Sequence, residues 1–287
     1  MSTYKIITDS CCDLSVDKLK ALDVTAVSLS LMFRGAERLD AVTDEIKEVY
    51  DAMRAGENAT TSAANPEGWA NVIEPVLAEG KDALVITFSS GLSTTYQSAV
   101  IAAEDLKEKY PDRKIRVVDS LCASLGQGLL VWYACDKRDE GMDLDTLAAW
   151  LEDNKQSVCQ WFTVDDLNFL KRGGRISAAT ALVGTMLQIK PVLHVDSEGK
   201  LVSVSKVRGR KASIDALANK MAQLQIAGAN DRITICHGDC VEDAQYLAQQ
   251  LQSKLGVKEV YIGYTGAVIG SHSGPGTLAL FFLGSQR

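Results

Sequence analysis

A change of periodicity near residue 155 constrains this chain more than any other feature. Before it, short apolar runs at 4–8, 24–33, 83–88 and 115–119 alternate with helical patterns at 16–22, 43–54, 66–78, 93–109 and 122–137. Such alternation predicts βαβ units, and hence a parallel sheet with helices on both faces. A helix over 143–154 then bridges to a half of different character. There, runs at 158–164, 189–195, 201–207, 232–236, 258–264 and 277–283 read as strands, with helices at 210–226 and 241–254. The turn Asp196-Ser197-Glu198-Gly199 makes the second and third of those runs an antiparallel hairpin. The expected fold is therefore α/β with two domains. An N-terminal parallel-sheet three-layer domain is expected over 1–155, and a C-terminal α+β domain with a mixed sheet over 156–287. A length of 287 residues agrees, at about 150 residues per domain.

Charge and cysteine usage narrow the function classes. Thirty basic residues against thirty-seven acidic ones give a net charge of −7. A chain of that sign with no Lys/Arg block is poorly suited to gripping nucleic-acid phosphates, so no nucleic-acid partner is expected. No apolar run approaches the ~20 residues of a membrane span. The opening MSTYKIITDS reads as a strand and not as a signal peptide, so the expected compartment is the cytoplasm. Seven cysteines, an odd number without framework spacing, fit a reducing compartment. Cys236, His237 and Cys240 form C-H-x-x-C, but no second cluster completes the roughly four ligands zinc needs, so no metal is expected. Cys236 is expected to end a buried strand and Cys240 to open the next helix. Cys11 and Cys12 follow the first strand, with no histidine nearby in sequence to activate them.

In an open parallel sheet, ligands bind beyond the carboxyl ends of the strands. Three such ends carry hydroxyls or a carboxylate: Thr8-Asp9-Ser10, Ser89-Ser90-Gly91-Leu92-Ser93-Thr94 and Asp119-Ser120. A polar loop, Thr60-Thr61-Ser62, adds more. Each residue type is also an ordinary cap, and it is their concentration that points to a site. Ser93 and Thr94 stand at a helix start, where free N–H groups and the helix dipole suit a carboxylate or a phosphate.

The phosphate cradle of nucleotide-binding folds, G-x-x-x-x-G-K-[ST] or G-x-G-x-x-G after a strand, does not occur, nor does the G-x-S-x-G elbow. Gly126-Gln127-Gly128 lies inside a helical pattern and reads as close helix packing. Of the three histidines, His272 in Gly270-Ser271-His272-Ser273-Gly274 is the functional candidate, placed in a loop. Two basic clusters, 171–175 with Arg172 and Arg175, and 206–211 with Arg208, suggest a local positive face on an acidic protein. An anionic headgroup, a phosphate or an acidic partner would each suit it. The first cluster is expected to lead into a helix.

Taken in order, several of these segments resemble the DegV family of bacterial fatty-acid-binding proteins. They are Thr8-Asp9-Ser10, Thr61-Ser62, Ser90 to Ala99, Asp119-Ser120 with Gly126-Gln127-Gly128, Leu170 to Ser177, Ile189 to Leu193, Lys206 to Lys211 and Gly270 to Gly276. The resemblance implies one long-chain fatty acid held in a tunnel between two domains, with no catalysis and no cofactor. It assigns the carboxylate to Thr61 and Ser93, with Ser62 and Thr94 as neighbours and His272 close to the headgroup. It places Arg175 at the headgroup and gives Arg172 and Arg208 a headgroup, partner or membrane-facing role. The implied partner is a separate ATP-dependent fatty acid kinase, whose acyl-phosphate product is carried to phospholipid synthesis at a membrane surface. A monomer is expected. Two departures stand out: Ala63-Ala64-Asn65 displaces the proline that usually follows the T-S loop more closely, and Cys11-Cys12 replaces a small or hydroxyl pair.

Two other readings compete. One is an enzyme acting on a small acyl or phosphate compound through Ser93, His272 and Asp9. The other is a membrane-surface module working through the two basic clusters.

Overall fold

The computed structural model describes residues 4–42, 45–177, 188–285 and 287. The N-terminal domain has strands β1 (Tyr4–Asp9), β2 (Val24–Val27), β3 (Ser30–Phe33), β4 (Ala36–Leu39), β5 (Thr60–Ser62), β6 (Asp82–Thr87) and β7 (Ile115–Asp119). Its helices are α1 (Val16–Ala21), α2 (Ile46–Arg54), α3 (Pro66–Ala78), α4 (Thr95–Lys109), α5 (Leu125–Asp139) and α6 (Leu144–Asn154). The C-terminal domain has strands β8 (Val158–Thr163), β9 (Ile189–Val195), β10 (Leu201–Arg208), β11 (Arg232–His237), β12 (Glu259–Tyr264) and β13 (Leu278–Leu283). With them run helices α7 (Leu167–Arg172), α8 (Arg210–Leu224), α9 (Val241–Leu255) and α10 (Ala267–Ser273).

The expected architecture is what forms. A parallel sheet runs in the order β2-β1-β6-β7, and a mixed six-stranded sheet in the order β10-β9-β8-β13-β11-β12. Adjacent residues of β1 serve opposite faces: Ile6 joins the cluster under α5 and α6, and Ile7 the cluster under α3 and α4. Both are fully buried, as a strand covered on two sides requires. The far face of the mixed sheet is covered by α8 and α9.

Helix α5 carries the connection between the two sheets. Every residue from Leu125 to Trp132 is buried, so no polar face is left for water. Gly126 faces Phe281 and Gln160 of the mixed sheet, and Gly128 faces the Cys12 carbonyl and Leu14 of the N-terminal domain. The G-Q-G string is thus close packing, as its place in a helical pattern suggests. Between the glycines, Gln127 Nε2 donates to Thr8 Oγ1 at 3.0 Å.

Several elements differ from the sequence reading. The run 24–33 is two strands: β2 stays in the parallel sheet, whereas β3 leaves it for a small antiparallel sheet ordered β4-β3-β5. At the break, Leu29 N–H donates to Ser10 Oγ at 3.1 Å instead of to a ladder partner. The polar loop 60–62 is strand β5, an edge held by β3 and not by its own composition. Helices α7 and α10 are six and seven residues long, shorter than the ~11-residue window in which helical periodicity shows. His272 therefore sits on the last turn of a helix and not in a loop. The helix start at Thr43 and the helix expected after Ser177 lie outside the described residues.

Replacing Gly128 with Ala tests the α5 contact. Intrinsic propensity would favour Ala by ~1 kcal/mol. Here the new Cβ would lie 2.6 Å from the Cys12 carbonyl oxygen, a backbone atom. Gly128→Ala is expected to destabilise by about 1–3 kcal/mol in urea unfolding, and a stabilised variant would contradict the packing described.

Candidate functional site

Thr61 is positioned by a ladder. In β5 it pairs with Leu31 of β3, a buried residue that fixes the register. Its hydroxyl then meets His272, with Thr61 Oγ1 and His272 Nε2 2.8 Å apart. The histidine arrives on α10, which packs against α2, α7 and β5. On the other side of the ring, Nδ1 has no hydrogen-bond partner among the described residues and abuts Gly173, whose added Cβ would lie 2.2 Å from it. The first glycine of the Gly173-Gly174 pair is there to admit an imidazole. Burial first, and the Arg175 charge second, push the His272 pKa down to about 4. The ring is therefore neutral at physiological pH. In the tautomer carrying the proton on Nε2 it donates to Thr61, which frees the threonine O–H to donate onward.

Ser93 is held by the turn that follows β6, and that turn is fastened from three directions. Asp119 Oδ1 accepts from Ser90 N at 3.2 Å. Ser89 Oγ donates to the Gly199 carbonyl at 2.9 Å, from the tip of the β9–β10 hairpin. Arg175 Nε donates to the Leu92 carbonyl at 3.2 Å. Gly91 is needed because a Cβ there would lie 2.6 Å from the Glu198 carbonyl oxygen. The cap of helix α4 falls one residue later than the sequence suggests. Thr94 occupies the cap position without a side-chain cap bond, and Ser93 Oγ accepts from Thr95 N at 3.2 Å.

These residues line one cavity of about 530 Å³, within the ~300–1,000 Å³ typical of ligand sites. Thr61, Ser62, Ser93, Thr94, Arg175 and His272 all contribute to its wall. The remainder is largely apolar, with Leu29, Phe88 and Val268 from one cluster of the core and Phe162, Leu170 and Phe281 from another. Sequence reasoning missed Gln97, Gln160, Thr265, Ser273 and Thr277, which also line it. Ser273 Oγ is buried and has no partner among the described residues. Its place beside His272 in G-S-H-S-G was the available signal.

A second, smaller cavity of about 350 Å³ shares a wall with the first, made of Thr61, Arg175 and His272. Arg172 lines this outer cavity, and Arg208, exposed at the end of β10, lines neither. The basic segments thus separate, with Arg175 on both cavities, Arg172 on the outer one and Arg208 on neither.

Asp9 is the sequence candidate that the structure takes away from His272. Its Oδ2 accepts from Phe88 N at 2.7 Å and its Oδ1 from Cys11 N at 3.1 Å, so it ties two strand ends together. Burial raises its pKa to about 7. It lines neither cavity, and the grouping of Ser93, His272 and Asp9 is not assembled. Cys11 and Cys12 are fully buried with pKa values pushed well above the usual thiol range, chiefly by burial, which denies them thiolate character. Cys236 ends β11 and Cys240 precedes α9, as expected. Among the described residues no group of three or more His, Cys, Asp or Glu could hold a metal, and no helix is long and apolar enough to cross a membrane.

Residues 3–285 match the family model described as "Uncharacterised protein, DegV family". This chain belongs to the DegV family. A DegV domain-containing protein of Clostridium perfringens is 42% identical over 289 residues, covering 100% of this chain and 99% of that one. Among solved structures, that of a DegV family protein from Thermus thermophilus, described by its fatty acid binding, superposes with a TM-score of 0.87 at 34% identity, covering 99% of this chain and 100% of that one. A DegV lipid-binding protein from Thermotoga maritima gives a TM-score of 0.88 at 29% identity, with both chains covered in full.

Two measurements check this DegV site. In an NMR titration the His272 ring is expected to stay neutral as pH falls through 6.5 and to protonate only near pH 4, because burial opposes the charged form. Gly173→Ala is expected to displace the ring and bring its titration back toward ~6.5. An unchanged titration in that variant would break the link between Gly173 and His272.

Proposed function

We propose that this chain is a carrier of one long-chain fatty acid, without catalysis of its own, that presents the acid's carboxylate to a separate ATP-dependent fatty acid kinase. The observation carrying this reading is an apolar cavity of about 530 Å³ whose polar end gathers Thr61, Ser93 and a neutral His272. The fatty-acid and lipid binding described for the Thermus and Thermotoga relatives supports the same ligand. In this reading the division at 155/156 separates the two domains and the cavity is the tunnel between them.

The energetics of such a ligand suit a carrier. Burying a tail of about 16 carbons at ~0.8 kcal/mol per methylene contributes on the order of 11 kcal/mol before the costs of association. The head then needs only modest hydrogen bonds. Thr61, relayed by His272, and Ser93 would donate to the carboxylate, with Ser62 and Thr94 beside them. No arginine fork clamps the acid, so one carboxylate oxygen remains a nucleophile. In the kinase's site that oxygen attacks the terminal phosphorus of ATP, the phosphorus–oxygen bond to ADP breaks, and acyl phosphate stays on the carrier. In this reading ATP is bound by the kinase and not by the carrier. We read the carrier as a cytoplasmic monomer that meets a membrane surface transiently, with Arg208 on the face turned to a partner or membrane.

Mass spectrometry of an organic extract, before and after incubation with palmitate, is the direct test. Bound fatty acid at about one per chain is expected, and a protein that yields none and takes up none would refute the carrier reading. The double variant Thr61→Val, Ser93→Ala is expected to keep its fold and to bind palmitate about tenfold or more weakly, since each hydrogen bond to a charged group contributes about 1.5–3 kcal/mol. Kinase-dependent acyl phosphate formation should fall with it, and unchanged rates would remove both residues from the head site.

A further inference from the structure

Helix α10 carries His272, yet its own sequence supplies no cap. At seven residues it is too short to persist by itself. Its cap position is Gly266, which has no side chain to offer the free N–H groups of the first turn. The acceptor comes instead from the loop after β4, where the buried Asp40 accepts through Oδ1 from Val268 N at 3.2 Å. Val268 and His272 are four residues apart, which puts them on one face of α10, about 6 Å along its axis. Both line the inner cavity.

The small sheet that holds the start of α10 also holds its end. Thr61 of β5 meets the His272 ring at 2.8 Å. Asp40 directly follows β4, and its own N–H donates to the Leu29 carbonyl at 2.8 Å. Ser30 of β3 pairs with Leu39 on one side and with Ser62 on the other, so both grips belong to one ladder. A carboxylate takes the first turn of α10 and a hydroxyl the last.

The charges around Asp40 agree with this role. A Cβ added to Gly266 would meet Asp13 Oδ1 and lie 3.6 Å from Asp40 Oδ1, so two buried acids face the same helix end. Burial first, and the Asp40 charge second, push the Asp13 pKa well above the usual carboxylate range. Burial raises the Asp40 pKa as well, but the Ser10 hydroxyl and the backbone of Val268 and Ala267 oppose it. Asp13 is therefore the neutral member, with Ser124 Oγ donating to its Oδ2, and Asp40 is the charged one. Among the described residues no cation acts on either acid, so the positive end of α10 is the counter-charge to Asp40.

We propose that Asp40 is a positioning residue for the head of the bound acid, acting through α10 to set His272 against Thr61. The inference rests on the carrier reading and names the group that keeps the Thr61 relay in register. Without Asp40 the first turn of α10 loses its acceptor. The helix can then fray or slide, and the ring leaves both Thr61 and the recess at Gly173.

NMR titration of His272 and calorimetry with palmitate, made on the same variants, test the assignment. Asp40→Ala is expected to move the titration of the ring from about 4 toward ~6.5 and to weaken palmitate about tenfold. Asp40→Asn keeps an oxygen for the Val268 N–H and should restore most of both. Asp9→Asn is the comparison, since Asp9 is bonded to Phe88 and Cys11 and not to α10. It is expected to lower stability while the ring still titrates near 4 and palmitate binds within about twofold of wild type. A ring that stays near 4 in Asp40→Ala, or that shifts equally in Asp9→Asn, overturns the positioning role. In wild-type protein the Val268 amide should exchange with deuterium at least about a hundredfold more slowly than a free peptide. Exchange at the free-peptide rate overturns the role even if Asp40→Ala does not fold. Should wild-type protein fail to bind palmitate, the carrier reading falls and the head-positioning role with it. Wild-type binding that Asp40→Ala leaves unchanged overturns this inference alone.

Discussion

Helix α5 is squeezed between two sheets, and the rest of the molecule takes its geometry from that contact. One face lies against the parallel sheet through Gln127 and the Cys12–Leu14 segment, and another lies against β8, β11 and β13. Two glycines one residue apart bring backbone close to neighbours on both sides, which a pair of alanines could not do. Beside that contact, Thr61 of the first half meets His272 of the second directly, and Arg175 ties the Leu92 turn that carries Ser93. Close-packed interiors transmit such constraints, since a displacement on one side has no void to absorb it.

The polar end of the cavity is built from weak, neutral donors, and its surroundings keep them neutral. Burial and the Arg175 charge hold the imidazole uncharged, so His272 orients the Thr61 hydroxyl without adding a counter-ion. Arg175 spends two of its N–H groups on carbonyls of the Leu92 turn and of Gly173, which makes it a brace first. On the carrier reading, a buried ion pair on the acid would slow release and block an oxygen, whereas hydroxyl donors would hold it and leave it reactive. On the carrier reading, tail burial would supply the affinity, and the division of labour between tail and head follows from the area each can bury.

Much of the fold was legible in the residues. The alternation of 4–8, 24–33, 83–88 and 115–119 with helices reports a parallel sheet because each strand must be apolar on both faces. The turn at 196–199 reports a hairpin because Gly199 adopts a positive φ of 74°. The T-S, S-G-L-S and G-S-H-S-G strings pointed to residues that meet at one cavity. Asp9 belonged to an equally suggestive string, T-D-S, yet its carboxylate is consumed by the backbone N–H groups of Phe88 and Cys11. Local composition cannot separate a carboxylate that braces two strand ends from one that faces a ligand.

What the sequence alone determined is therefore the element order, the class of each domain and the set of hydroxyl-bearing turns, because these depend on side-chain period and on local backbone chemistry. Tertiary structure alone decided that 60–62 would be a strand, that His272 would ride on a short helix, and that Arg172 and Arg175 would find no carboxylate partner among the described residues. Those outcomes turn on pairing with β3, on packing of α10 against α2 and α7, and on which carboxylates reach which cations. Each is a contact between residues far apart in the chain, and no window of neighbouring residues contains the energy that selects it.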